Sequence, residues 1–542
     1  MDDHVVAEQR DVLEFLSDPL TYRIVETVKR IDTHGAVVFL AGRDAYKVKR
    51  AVRFPFMDFS TLGKRKLACD RELAVNRDNA PDIYLGVVPI TRSKDGLSFG
   101  GEGEIVEWAV HMRRFDENST LDRLATRDRL SPSLISDLAH AVVRSHERAP
   151  RQDFDAAGAL DRYILENADS FAESPDLFSS DRVRALTLSS RTLLSDNKPL
   201  LVARRKAGHV RRCHGDLHLR NIVLIGGKPV LFDALEFDEG MATGDVLYDL
   251  AFLVMDLWER DFRQAANAIL NHYLWESGDE AHLVGLAALP LFLSVRAAIR
   301  AKVTAASLPH LAEQKRTEAA REAKRYFRLA EDFLVPAPAR LVAVGGLSGT
   351  GKTTIAAELA PHLGRIPGAV HLRTDIERKQ MFRAAETQHL PQSGYSPSAT
   401  AEVYARLQRK AKLALASGFG VIADGVHAEP GERAGIEGAA REVAAPFNGL
   451  WLEAPLALRI ERVEGRRGDA SDANADYVRK QATVGVGPLA WRRIEASGTP
   501  ARIVADALAV LGVSRAPTDP ASSSRFGGLV MEARSIAAGG AA

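Results

Sequence analysis

LVAVGGLSGTGKTTIAAELAPHL, residues 341–363, decides the fold of the C-terminal third. An apolar run of strand length, LVAV, meets a glycine-rich loop, and the loop opens into a helical pattern. The loop satisfies G-x-x-x-x-G-K-[ST] with Gly346, Gly351, Lys352 and Thr353. Glycines let the backbone curl so that consecutive N–H groups face a phosphate, and the helix N-terminus adds positive potential. Lys352 then reaches the β- and γ-phosphates, and Thr353 offers its hydroxyl to Mg²⁺. Ser348, Gly349, Thr350 and Thr354 complete the expected ATP-binding loop. A plain glycine turn with a solvated lysine would not need a strand before it and a helix after it.

Further along, VHLRTDIERK (370–379) supplies Asp375 and Arg378 after a short strand-like run. GFGVIADGV (418–426) is a second buried strand ending in Asp424, the place for an acid that holds Mg²⁺. WLEAPLALRIERVEGRRGD (451–469) begins as a strand and then sets Arg459, Arg462 and Arg466 on one helical face. A solvated stripe is the bland reading. After a P-loop the expected reading is a mobile lid, with Arg462 and Arg466 closing on the transferred phosphate. A carboxylate beyond a parallel strand's end faces the same crevice as the loop, which makes Asp375 the expected base.

Working back toward the N-terminus, LVPAPAR (334–340) is a proline-stiffened linker after the charged helical run 316–333. It suggests two domains, 1–335 and 340–515, with a Pro-, Ser- and Gly-rich tail over 516–542. The first hundred residues alternate like strands: AVVFL (36–40), a turn, AYKVKR (45–50), IYLGVVPI (83–90) and EIVEWAVHMRRF (104–115). Residues 131–195 and 245–330 are mainly helical in pattern. Between them HGDLHLRN (214–221) spaces Asp216 and Asn221 as H-x-D-x-x-x-x-N does. A carboxylate there takes or orients a hydroxyl proton, and a nearby amide oxygen holds Mg²⁺. The following hairpin, IVLI–GGKP–VLFD, returns Asp233 to the same metal. The N-terminal part is expected to be a bilobal α+β fold and the C-terminal part an α/β fold with a parallel sheet.

These motifs carry two resemblances. Residues 340–512 resemble the small P-loop kinases near gluconate kinase, zeta toxins and phage polynucleotide kinase, which implies Asp375 as general base and Arg378 as a substrate-holding arginine. Residues 30–330 resemble the aminoglycoside phosphotransferase superfamily, relatives of protein kinases. That resemblance implies a phosphate-binding lysine, either Lys47 or Lys49, with Glu72 as its partner. It also implies Asp249 as the acid bracing the catalytic loop, and a hinge near Met112–Arg114. No G-x-G-x-x-G precedes the lysine strand, which leaves donor choice open. The domain order resembles a bacterial family described as bifunctional aminoglycoside phosphotransferase/ATP-binding proteins. It implies ATP and Mg²⁺ as cofactors and small hydroxylated acceptors as partners. A regulatory ATP-binding module and a nucleic-acid-end kinase are the alternatives.

Composition sets the outer bounds. The chain has 542 residues, and Lys+Arg 72 balances Asp+Glu 71, so no global charge draws it to nucleic acid or an anionic membrane. RRKAGHVRR (204–212) reads as a solvated connection rather than a nucleic-acid patch. Two cysteines 144 positions apart make no disulfide framework, and Cys213 reads as a packed small side chain. The apolar stretch 283–295 is too short to span a bilayer. A cytoplasmic location is expected.

Overall fold

The computed structural model describes residues 6–513, apart from 34, 55–56, 466–469 and 484. The expected tail over 516–542 and Arg466 therefore lie outside the described residues. By packing, the chain divides into two compact units: Met1–Ala159 with Val202–Leu253, and Leu160–Leu201 with Val254–Ala542.

The first unit is built on an antiparallel sheet of β1 (Lys29–Asp32), β2 (Ala36–Ala41), β3 (Asp44–Lys49), β4 (Tyr84–Ser93), β5 (Gly96–Phe99) and β6 (Glu104–Arg113), in the order β1-β2-β3-β6-β4-β5. The hairpin expected from AVVFL and AYKVKR is β2–β3, with Val38 opposite Lys47. Its side chains Val37, Phe39 and Val48 are buried in one apolar cluster with Ile90 and Ala109. Helix α1 (Leu62–Arg77) packs on β6, and the Thr61 hydroxyl caps it by accepting the Lys64 N–H at 3.3 Å. The face it buries is Arg65, Ala68, Cys69, Glu72 and Asn76, so its periodic signal is half polar. Strands β7 (Ile222–Ile225) and β8 (Lys228–Leu231) form the expected hairpin, with Ile222 opposite Leu231 and Asp233 just beyond.

The second unit holds a parallel sheet of β9 (Leu341–Gly345), β10 (Val370–Arg373), β11 (Val421–Asp424), β12 (Phe447–Glu453) and β13 (Arg492–Glu495), in the order β10-β11-β9-β12-β13. Leu341, Val342, Ala343 and Val344 are wholly buried, as a central parallel strand covered on both faces requires. The core beneath it joins Val342 and Val344 to Ile355 and Leu359 of α4 (Lys352–Leu359) and to Ile503 and Leu508.

The same unit contains a helical stack in which Phe171, Phe178 and Phe327 pack ring against ring. Its helical stretch Glu280–Ser307 is longer than the apolar run 283–295 suggests, and its length and composition would suffice to cross a membrane. Most of it is buried inside the protein, the position of a core helix.

Candidate active sites

In the first unit Lys47 and Lys49 leave β3 on the same face, two residues apart. Both meet Glu72, which α1 carries to them fully buried. Lys47 Nζ lies 2.8 Å from Glu72 Oε1 and 2.7 Å from Asp233 Oδ1. Lys49 Nζ lies 2.6 Å from Glu72 Oε2 and also pairs with Glu236. The Lys47 side chain is 13% exposed and that of Lys49 1%, so Lys47 faces the cleft and Lys49 lies behind it. Burial opposes the Lys47 charge, but Asp233, Glu72 and Glu236 together hold it well above the ordinary lysine value. Burial likewise opposes the Glu72 charge, and the two lysines hold its carboxyl well below the usual range. Lys47 and Glu72 are thus both ionised near neutrality.

Asp233 is fixed from two further directions. Its N–H donates to Tyr84 Oη at 3.1 Å, and the next N–H, of Ala234, donates to Asn76 Oδ1 at 2.8 Å. Asn76 in turn donates to the Glu72 carbonyl at 2.9 Å. One buried amide therefore ties the turn holding Asp233 to the turn of α1 holding Glu72.

The catalytic-loop candidates assemble around Asp249 of α2 (Val246–Glu259). Its Oδ1 accepts the Gly215 N–H at 2.8 Å, and its Oδ2 meets His146 Nε2 at 3.1 Å. His214 is buried, with Nε2 2.9 Å from the Phe232 carbonyl oxygen, and burial pulls its pKa down. Asn221 Nδ2 donates to both the Asp216 carbonyl oxygen and Asp216 Oδ2, at 3.0 and 2.9 Å. That arrangement leaves the Asn221 amide oxygen for a cation, so Asn221 and Asp233 fit the oxygen donors that Mg²⁺ takes.

The basic run before this loop is not a solvated connection. Arg204 is buried and pairs with Asp245, Nε to Oδ2 at 2.7 Å. Arg211 Nη1 donates to the carbonyls of His146, Glu147 and Ala149, and Arg212 donates to those of Cys213 and Leu235. Only an arginine fork offers that many donors to converging carbonyls. Cys213 is a buried packing residue, as expected.

In the second unit the loop 346–351 sits at the carboxyl end of β9. Gly346 has φ +144°, and a Cβ there would lie 2.6 Å from the Leu452 carbonyl oxygen. Gly349 has φ +87°, and a Cβ there would strike the Arg459 backbone. Lys352 Nζ arches back to the Leu347 carbonyl oxygen at 3.2 Å, and the Thr350 hydroxyl donates to the same atom at 2.8 Å. Thr353 and Thr354 begin α4. Asp424 ends β11, buried, with Oδ2 3.3 Å from His371 Nε2. Burial would raise its carboxyl, but the His371 bond and the nearby Arg373 and Lys352 charges hold it down to about 2.

Asp375 lies two residues past β10, in the first turn of α5 (Thr374–Met381). Arg378 follows it, buried, with its guanidinium 4.8 Å over the Tyr395 ring and Nη1 2.6 Å from the Gly394 carbonyl oxygen. Its Nε has no hydrogen-bond partner among the described residues.

The arginine face does something other than hang free. Arg459 and Arg462 share α6 (Leu456–Glu464). Arg459 Nε donates to the Ser348 carbonyl at 2.9 Å, and Arg462 Nη1 to the Thr350 carbonyl at 3.2 Å. Arg462 Nη2 reaches the Ala496 carbonyl at 2.8 Å. Both guanidinium groups grip the outside of the phosphate loop.

Comparison with known proteins finds two family models along the chain. A model of the phosphotransferase enzyme family matches residues 88–283, and an AAA domain model matches residues 341–484. The uncharacterized protein Rv2004c of Mycobacterium tuberculosis is 32% identical over 489 residues, covering 88% of this chain and 94% of that protein. The chain belongs to its family. This chain joins a phosphotransferase module to a P-loop kinase-like module, and its coarse chemistry is phosphoryl transfer. An adenylyl-sulfate kinase of Myxococcus xanthus is 30% identical over 117 residues, 22% of this chain and 59% of that protein. Among solved structures, choline kinase from Cryptosporidium parvum is similar over 60% of this chain and 96% of its own, at 14% identity and a TM-score of 0.40.

Within the phosphotransferase module, several residues carry the site without standing out in the sequence: Asn76, Tyr84, His146 and Glu236. Each acts through one long-range contact, and no local spacing announces such a contact. The exception is Glu236, which stands three residues past Asp233 in the acid-rich FDALEFDEG.

Proposed function

We propose that the chain is an ATP-dependent phosphotransferase with two nucleotide sites, each passing the γ-phosphate to a hydroxyl of a small-molecule acceptor. The reading rests on one observation above the rest: Lys47 bridges Glu72 and Asp233 in the unit where Asn221 steadies Asp216. Such a set positions a phosphate with a cation, offers two oxygen ligands for a metal, and presents a carboxylate to an acceptor proton. In the phosphotransferase module Lys47 holds the phosphates and Glu72 holds Lys47. Asn221 and Asp233 hold Mg²⁺, and Asp216 orients the acceptor hydroxyl and takes its proton. In the P-loop module Ser348–Thr354 and Lys352 cradle the phosphates, Thr353 and Asp424 hold Mg²⁺, and Asp375 is the base, with Arg378 beside it. Arg462 braces the phosphate loop through the Thr350 carbonyl, and Arg466 is left to answer the charge on the transferred group. Magnesium, when bound, neutralises phosphate charge at both places. The modules are read as 1–335 and 340–515, in a cytoplasmic protein.

The test is a product count. Wild type, Asp216→Asn and Lys352→Ala are each incubated with ATP and metabolite extract, and new phosphorylated compounds are identified by mass spectrometry. Two sites predict two products, each lost in one variant alone. A single product whose rate changes in Lys352→Ala would instead make the P-loop module a regulator of its neighbour.

A further inference from the structure

Strand β10 is the edge of the parallel sheet, and the outward N–H and C=O groups of an edge strand need partners. Here the partners are side chains of helix α3 (Arg263–Ser277) within the same unit. Asn267 and Asn271 donate through Nδ2 to the Ala369 carbonyl oxygen at 3.1 and 3.2 Å. The His371 N–H donates to Asn271 Oδ1 at 2.7 Å, and Trp275 Nε1–H donates to the His371 carbonyl oxygen at 2.8 Å. These residues stand at i, i+4 and i+8, so one stripe of the helix runs the ladder that another strand would otherwise supply.

The stripe is costly unless it has a task. Asn267 and Asn271 are buried and asparagine is a poor helix former, so their place in the helix is set by the strand groups they satisfy. The task is visible one residue further in. The peptide groups on both sides of His371 are clamped by Asn271 and Trp275, and the His371 imidazole reaches Asp424 at 3.3 Å. The Arg373 guanidinium lies 5.4 Å from the centre of the Trp275 ring, so the same tryptophan touches the strand twice. Helix α3 lies inside the sequence matched by the phosphotransferase model, yet it serves the P-loop sheet.

We propose that α3 is a positioning element of the P-loop site: Asn271 and Trp275 fix the His371 peptide, and the His371 ring sets the direction of the Asp424 carboxylate toward Mg²⁺. The proposal rests on the reading of the P-loop as a Mg·ATP site. Residues that orient a metal ligand from behind change metal affinity more than they change the affinity of the surrounding site.

The experiment uses the full chain carrying Asp233→Asn, which quiets the other nucleotide site. Binding of a fluorescent ATP analogue is measured while Mg²⁺ is titrated, and again in EDTA. Trp275→Phe keeps an aromatic side chain but loses the indole N–H with its fused ring, and Asn271→Leu removes both bonds to the strand. Each is expected to raise the half-saturating Mg²⁺ concentration about tenfold, with binding in EDTA unchanged. In a His371→Phe background, Trp275→Phe should add no further shift. A Mg²⁺ curve that moves less than about twofold in both variants would overturn the proposal, whatever happens to the melting temperature. An equal loss of binding in EDTA would overturn it too, because the loop rather than the acid would then be disturbed. Lys352→Ala separates the two readings: if it leaves binding in the parent unchanged, the P-loop assignment itself fails.

Discussion

Asp233 adopts φ +58°, a backbone region that residues with a side chain rarely occupy. The turn aims its carboxylate back at Lys47, so the strain sits where the metal is expected. Asp233→Asn should weaken Mg²⁺-dependent nucleotide binding in the phosphotransferase module, read by a Mg²⁺ titration of ATP binding in a Lys352→Ala background. Asp216→Asn should behave differently, losing at least ~10² in turnover while ATP binding survives, because a base acts only on the chemical step. The two lysines separate in the same way. Lys47→Ala should raise the KM for ATP. Lys49→Met leaves Glu72 and Glu236 without that partner beside a buried site, and should cost about 3–5 kcal/mol of stability in denaturant unfolding. The sequence names both lysines and Glu72 but gives no ground for choosing between the lysines, since both point the same way. What separates them is tertiary packing: Lys47 reaches Asp233, 186 positions away, while Lys49 turns back to Glu236, 187 positions away.

At the scale of elements, the strand–loop–helix of the P-loop and the H-x-D-x-x-x-x-N hairpin are fully legible, because their chemistry is local. The periodicity of Arg459 and Arg462 is also legible, but its target is not. A helical face of arginines reads equally as surface, lid or brace, and only tertiary structure brings the Ser348 and Thr350 carbonyls to it. Gly349→Ala tests that close fit: a methyl group at φ +87° against the Arg459 backbone should abolish P-loop nucleotide binding by calorimetry while leaving Asp216-dependent turnover intact. The segment after β11 makes a second prediction. His427 is wholly buried between Tyr404 and Trp491, and burial pulls it down to about 4 against the opposing effect of Asp424. A folded-state value below the unfolded one gives stability that is complete above about pH 6.5 and lost as pH falls toward 4. The neutral ring is therefore worth about 3 kcal/mol that acid removes. Urea unfolding of the P-loop unit should weaken between pH 7 and 4.5, and His427→Phe should flatten that dependence.

At the scale of the whole molecule, the two-module order is legible from motifs, yet packing divides the chain elsewhere than at the proline linker 334–340. Composition marks linkers well, whereas the allegiance of a helix depends on which surface it meets. Helix α3 follows the phosphotransferase motifs in sequence and packs on the P-loop sheet. A fragment beginning at 338 would lose Asn267, Asn271 and Trp275 and bare the edge of β10. Such fragments should self-associate in size-exclusion chromatography, and a fragment that begins at 254 should do so less.

The asparagine–tryptophan stripe also bears on inheritance. A lineage that exchanged P-loop modules by recombination within the linker would graft a new sheet onto a helix written for the old one. Crossovers tolerated by the fold should therefore cluster upstream of residue 263, and chimeras joined there should keep their Mg²⁺ response while chimeras joined at 340 should not.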